Sequence, residues 1–156
     1  MLERKNEPQF EALRVLVVED SGLSYALIEV MLECLTGATP DRAVNGKEAV
    51  QCVQSKDYDL VIMDHLMPVM SGVDATREIR QCMPVWKQPV IAGLSGATSQ
   101  ADLRCYREVG MDYFLAKPMR LEDLRSLLGQ VVVREHRAYS WNSMQIGSAL
   151  VPAGLG

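Results

Sequence analysis

Five compact apolar runs, each followed by apolar residues at helical spacing, constrain this chain more than any other feature. Leu13 to Glu19 is β-branched and continuous, the pattern of a strand buried on both faces. Leu23, Ala26, Leu27, Val30, Met31 and Cys34 then recur as on a helix, with Ser21 placed to cap its start and Gly37 its end. A weaker strand is expected around Thr39–Val44, at a sheet edge, because Pro40 cannot donate to a central ladder. Asn45-Gly46 turns into a second helix through Ala49, Val50 and Val53. Tyr58 to Met63 reads as a third strand ending at Asp64, followed by a helix from about Ser71 to Met83. Pro89 to Leu94 and Tyr113 to Leu115 read as the fourth and fifth strands. The helices after them span about Ser99–Val109 and Leu121–Val133. Five strand–helix units in series imply an α/β fold with a doubly wound parallel sheet and helices on both faces.

That pattern occupies residues 12–134. Residues 1–11 read as a polar leader and 135–156 as a flexible or irregularly docked tail, since its residues show no strong period. No short internal repeat is visible. With 48% apolar and 23% charged residues, the 156-residue chain has the composition of a globular domain. A net charge of −4 and the lack of a basic stripe argue against a nucleic-acid partner. No apolar run is long enough for membrane insertion and no secretory signal is evident, so a reducing cytoplasm is the expected location. Cys34, Cys52, Cys82 and Cys105 show no metal-binding spacing and are expected to be largely buried small hydrophobes.

In open α/β sheets function gathers at the carboxyl ends of the strands. Here those ends bring together Glu19, Asp20, Asp64, Ser95 and Lys117. Two carboxylates ~4 Å apart repel by about 4 kcal/mol at an effective dielectric of ~20. A hard divalent cation such as Mg²⁺ would relieve that repulsion. With the cation and Lys117 neutralising charge, a phosphoryl group could be received by a carboxylate, forming an aspartyl phosphate.

Several ordered segments then resemble the response-regulator receiver family. Met63-Asp64-His65-Leu66-Met67-Pro68-Val69-Met70-Ser71-Gly72 is similar to its MDxxMPxMxG segment. Ala43 to Ala49 resembles its AxNGxEA turn, and Gly110-Met111-Asp112 with Lys117-Pro118 its GMD…KP ending. The spacings from Asp20 to Asp64 and from Ser95 to Lys117 match too. The likeness covers about Leu13 to Val133. It implies a CheY-like, flavodoxin-like sheet of order 2-1-3-4-5, with Asp64 as phosphoacceptor. It further implies Asp20 as a direct Mg²⁺ (or Mn²⁺) ligand, Glu19 acting through water, and the backbone carbonyl of Leu66 completing the metal shell. Ser95 would be the switch hydroxyl, Phe114 the switch aromatic or a plain core residue, and Lys117–Pro118 a cis peptide.

The resemblance also implies a signalling module, not an enzyme beyond catalysing its own phosphorylation and dephosphorylation. A histidine kinase or histidine phosphotransfer protein would be the donor. Output would be by contact with a downstream protein, through a face formed by the fourth helix, fifth strand and fifth helix, because ~22 further residues cannot supply another domain. The chain would be stand-alone or part of a hybrid histidine kinase. Four departures stand out. Glu19 is a methylene longer than the usual Asp. Leu66 and Ala97 lack the polar side chains that orient hydrolytic water, implying a slowly hydrolysed phosphoryl group. Pro89 to Ser95 is one residue longer than the family's common pattern, implying a shifted start or a bulge in the fourth strand. His65 and His136 read as surface residues. A haloacid-dehalogenase-like phosphatase would want a second acid two residues after Asp64, where Leu66 stands. A flavodoxin-like cofactor binder would want a hydroxyl- and glycine-rich loop where Glu19-Asp20 stands.

Overall fold

The computed structural model describes residues 10–96, 99–136 and 150–152. The chain runs β1 (Val15–Val18), α1 (Gly22–Thr36), β2 (Asp41–Ala43), α2 (Gly46–Ser55), β3 (Leu60–Asp64) and α3 (Gly72–Cys82). It continues through a 3-10 turn at Val85–Lys87, then β4 (Val90–Ser95), α4 (Gln100–Val109), β5 (Tyr113–Ala116), α5 (Leu121–His136) and β6 (Leu150–Pro152). The first five strands pair in parallel in the order 2-1-3-4-5, as the resemblance implies. β6 adds antiparallel to β5, pairing Phe114 with Val151. The expectation of an irregular tail is thus corrected at Leu150–Pro152; the rest of 137–156 lies outside the described residues.

Because strand side chains alternate, β1 feeds two cores. Leu16 and Val18 pack with Ala49, Val53, Ile79 and Tyr106 beneath α2, α3 and α4. Val15 and Val17 pack with Ile28, Leu32, Leu124 and Leu128 beneath α1 and α5. Each large side chain so buried contributes roughly 1.5–3 kcal/mol. β4 pairs continuously with β3, Leu60 to Val90 through Asp64 to Leu94. The additional residue is absorbed without a bulge: Pro89 stays outside the strand, and Gly93 lies flat against Met111, whose Sδ would be 2.6 Å from any Cβ there.

Local signals act as expected at most helix ends. Ser21, Asn45, Ser71 and Ser99 each accept a backbone N–H from the first turn of their helix. Gly37 and Gly110 end α1 and α4 with φ of 72° and 100°. α1 differs in which face it buries. The period read through Leu23, Leu27 and Val30 marks an exposed stripe, 76, 62 and 65% accessible, while Ile28, Leu32 and Leu35 form the buried one. Two apolar stripes share this helix, and period alone does not say which meets the sheet. The cysteines also depart from expectation: Cys34, Cys82 and Cys105 are exposed and Cys52 half-buried, all as free thiols. Cys52 packs against the core cluster beneath α2.

The GMD segment is a structural clasp at the amino-terminal edge of the sheet. Arg80 donates to the Gly110 and Pro89 carbonyls and to Gln88, and pairs with Asp112 at 2.7 Å. Asp112 also accepts the Ile91 N–H and pairs with Arg134 at 2.8 Å. One carboxylate therefore ties α3, β4 and α5 together.

Candidate functional site

The carboxyl ends of β1, β3, β4 and β5 bring the expected residues to one end of the sheet. β1 runs directly into Glu19, whose N–H still bonds to Ala43 as the β1–β2 ladder ends. The Glu19 side chain turns inward, 2% exposed, and accepts the Ser21 N–H at 3.1 Å. Asp20 is exposed beside it. Asp64 closes β3 and is 4% exposed; one of its oxygens accepts the His65 N–H at 2.8 Å. Lys117 follows β5, its N–H bonded to the Ser95 carbonyl at 2.9 Å and its bond to Pro118 cis. Its Nζ lies 2.9 Å from Asp64 Oδ1 and 3.5 Å from Glu19 Oε2.

Oxygens of Glu19, Asp20 and Asp64 all lie within 4.8 Å of one another. Charges at that separation repel by about 3.5 kcal/mol per pair at an effective dielectric of ~20. Burial pushes Glu19 above its ordinary range; the Ser21 N–H opposes this and the Asp64 charge adds to it. Burial also works against the Lys117 charge, yet Asp64 and Glu19 together outweigh it and hold the ammonium above its usual value. One ammonium against three carboxylates leaves the pocket acidic. The donor set fits a hard divalent ion, whose ligand oxygens at ~2.1 Å bonds lie about 3 to 4 Å apart. These three carboxylates need close only slightly to meet that.

The loop after β3 is shaped to keep Asp64 in place. A Cβ at Gly72 would collide with the Asp64 carbonyl oxygen, so only glycine lets α3 start so close to the strand end. Gly46 is likewise pressed against Met70, donating to its carbonyl at 3.1 Å, which seats this loop on the start of α2. Val69 is exposed and takes a φ of 69°, a conformation that β-branched residues rarely adopt. Leu66, two residues past Asp64, is 76% exposed. Ala97 lies outside the described residues.

Ser95 and Phe114 are both buried. His65 corrects the surface reading: it is half-buried, its ring set edge-on against Tyr106 at 4.9 Å between centroids. The backbone of His136 falls in α5, and its side chain is outside the described residues. Tyr106 itself was not singled out in the sequence. It stacks on Phe114 at 5.4 Å, and its hydroxyl lies 3.4 Å from Ser95 Oγ. Its spacing from Leu103 and Val109 marks the inner face of α4, but the contact with Ser95 depends on how that helix docks.

A family model for the response regulator receiver domain matches residues 15–129. The chain belongs to the response regulator receiver family. The receiver is 34% identical to Histidine kinase 5 of Arabidopsis thaliana over 75% of its own length and 15% of that protein's. It is 33% identical to Hybrid signal transduction histidine kinase G of Dictyostelium discoideum, over 83% of its length and 4% of the relative's. It therefore spans a small part of these relatives. Two-component response regulator 24 of Arabidopsis thaliana is 34% identical and covered over 81%. Among solved structures, the receiver domain of sensor histidine kinase PA1611 from Pseudomonas aeruginosa, with magnesium in its active-site cleft, is 31% identical with a TM-score of 0.70. That match covers 81% of this chain and 99% of that one. A complex of the Saccharomyces cerevisiae phosphotransfer protein Ypd1 with the Ssk1 receiver domain matches at 27% identity and a TM-score of 0.73, over 81% and 92% of the chains. The receiver is thus a signalling domain of two-component and phosphorelay systems. Among its described residues, no helix is long and apolar enough to cross a membrane.

Proposed function

We propose that Asp64 accepts a phosphoryl group from the phosphohistidine of a histidine kinase or histidine phosphotransfer protein. The observation that carries this reading is the Lys117 ammonium 2.9 Å from Asp64 Oδ1, above a carboxylate trio within 4.8 Å. An Asp64 oxygen attacks phosphorus and the P–N bond to the donor breaks, its electron pair leaving on imidazole. Asp20 and Asp64, with Glu19 through water and the Leu66 carbonyl, would hold Mg²⁺ (or Mn²⁺), which would neutralise the phosphoryl oxygens. Lys117 would follow those oxygens, and Ser95 would donate to one of them. The exposed α1 stripe of Leu23, Leu27 and Val30, just beyond Glu19-Asp20, offers the donor an apolar docking face beside Asp64.

The domain then acts as a binary signal, catalysing only the gain and loss of its own phosphoryl group and passing its state to a downstream protein by contact. Leu66, apolar and exposed at the pocket mouth, gives attacking water no hydrogen bond, which supports a long-lived aspartyl phosphate. The test is incubation with a small phosphodonor and Mg²⁺, followed by intact mass. One phosphoryl adduct is expected on the wild type and none on Asp64→Asn. An equal adduct on both, or none on either, would refute the assignment. Decay of the adduct within seconds would refute the slow hydrolysis alone.

A further inference from the structure

Tyr106 has no part in the chemistry above, yet it touches three residues that do or that adjoin it. It is fully buried on the inner face of α4, 2% exposed. Its ring is packed between His65, the residue after Asp64, and Phe114 on β5. Its hydroxyl donates to Ser95 Oγ across 3.4 Å, and Ser95 is its hydrogen-bond partner among the described residues. Burial pushes its ionisation upward, so at neutral pH it remains a neutral donor. A buried phenol needs such a partner, because water cannot replace it.

We propose that Tyr106 is a positioning residue that holds Ser95 in its resting place and so opposes loading of Asp64. The proposal rests on Asp64 being the phosphoacceptor. When Ser95 turns its hydroxyl to a phosphoryl oxygen, its Oγ moves off a contact that is already long. The Tyr106 hydroxyl is then left in the core without a partner, unless α4 shifts with it. Either outcome raises the free energy of the loaded state. Because the ring also bears on His65 and Phe114, its displacement would carry the change at Asp64 to both β5 and α4. Ser95 is thereby held between the Tyr106 hydroxyl, which donates to its Oγ from α4, and a phosphoryl oxygen on Asp64, which would accept from it.

Tyr106→Phe tests this without emptying the core, since the ring and its two aromatic contacts are kept. The readout is calorimetric titration with beryllofluoride, a phosphoryl mimic, in the presence of Mg²⁺. The variant is expected to bind about five- to tenfold more tightly than the wild type, the order set by relieving one unsatisfied buried hydroxyl. In a Ser95→Ala background the same change is expected to have no effect, because the residue acts through the serine hydroxyl. Equal or weaker binding by Tyr106→Phe would overturn the inference. Equal tightening with and without the Ser95 hydroxyl would overturn it too, by showing a plain packing effect. Failure of the wild type to bind beryllofluoride would overturn the assignment of Asp64, and this inference with it.

Discussion

Replacing Lys117 with Met keeps the length of the side chain and deletes its charge. At an effective dielectric of ~20, charges at 2.9 and 3.5 Å attract by about 6 and 5 kcal/mol. The Lys117 side chain is 35% exposed, so solvent screens much of this. The carboxylates are buried, however, 2% and 6% exposed for Glu19 and Asp64, and stripping a partner from such groups leaves their repulsion uncompensated. Roughly 2–4 kcal/mol of stability should be lost, toward the range seen when one member of a buried pair is removed. The assay is urea unfolding, first with a chelator and then with excess Mg²⁺. Without metal, the midpoint of Lys117→Met should fall accordingly. With Mg²⁺ the variant should recover more than the wild type gains, because a cation entering a pocket that lacks its ammonium meets a more negative potential. An unchanged midpoint in chelator, or equal stabilisation of both proteins by Mg²⁺, would refute the charge argument.

Two further outcomes follow from backbone and burial. Val69→Asn should raise stability by about 1 kcal/mol in denaturant unfolding, because Asn tolerates the positive φ and exposed Val69 has little packing to lose. Arg80→Met should cost roughly 3–5 kcal/mol by the same measurement, since it leaves a mostly buried Asp112 with one guanidinium fewer. Phosphoryl-adduct formation by the folded Arg80→Met protein should match the wild type, because the clasp sits at the opposite edge of the sheet from Asp64.

The five parallel strands, the helices and the pocket were legible in the sequence because each leaves a local mark; β6, three residues long, does not. An apolar run of fixed length, a capping serine and a carboxylate at a strand end need no long-range information. What escaped detection depended on docking. α1 carries two apolar stripes, and only contact with the sheet distinguishes Ile28 and Leu32 from Leu23 and Leu27. The segment Pro89–Ser95 reads as one residue too long until the register of β4 on β3 shows the strand starting at Val90. His65 looks like a loop histidine until Tyr106, far along the chain, is placed beneath it. The 3-10 turn at Val85–Lys87 is too short to show a period.

β6 changes what the margin of this sheet can do. A strand at a margin offers its amides and carbonyls to any extended segment that comes alongside, including one from another molecule. On the β5 side that place is taken by Leu150–Pro152 of the same chain. Side-by-side joining of two molecules through β5 must therefore begin by peeling these three residues away. The edge of β5 is covered, and the open edge passes to β6, a strand of three residues that ends in a proline and offers little for another chain to pair with.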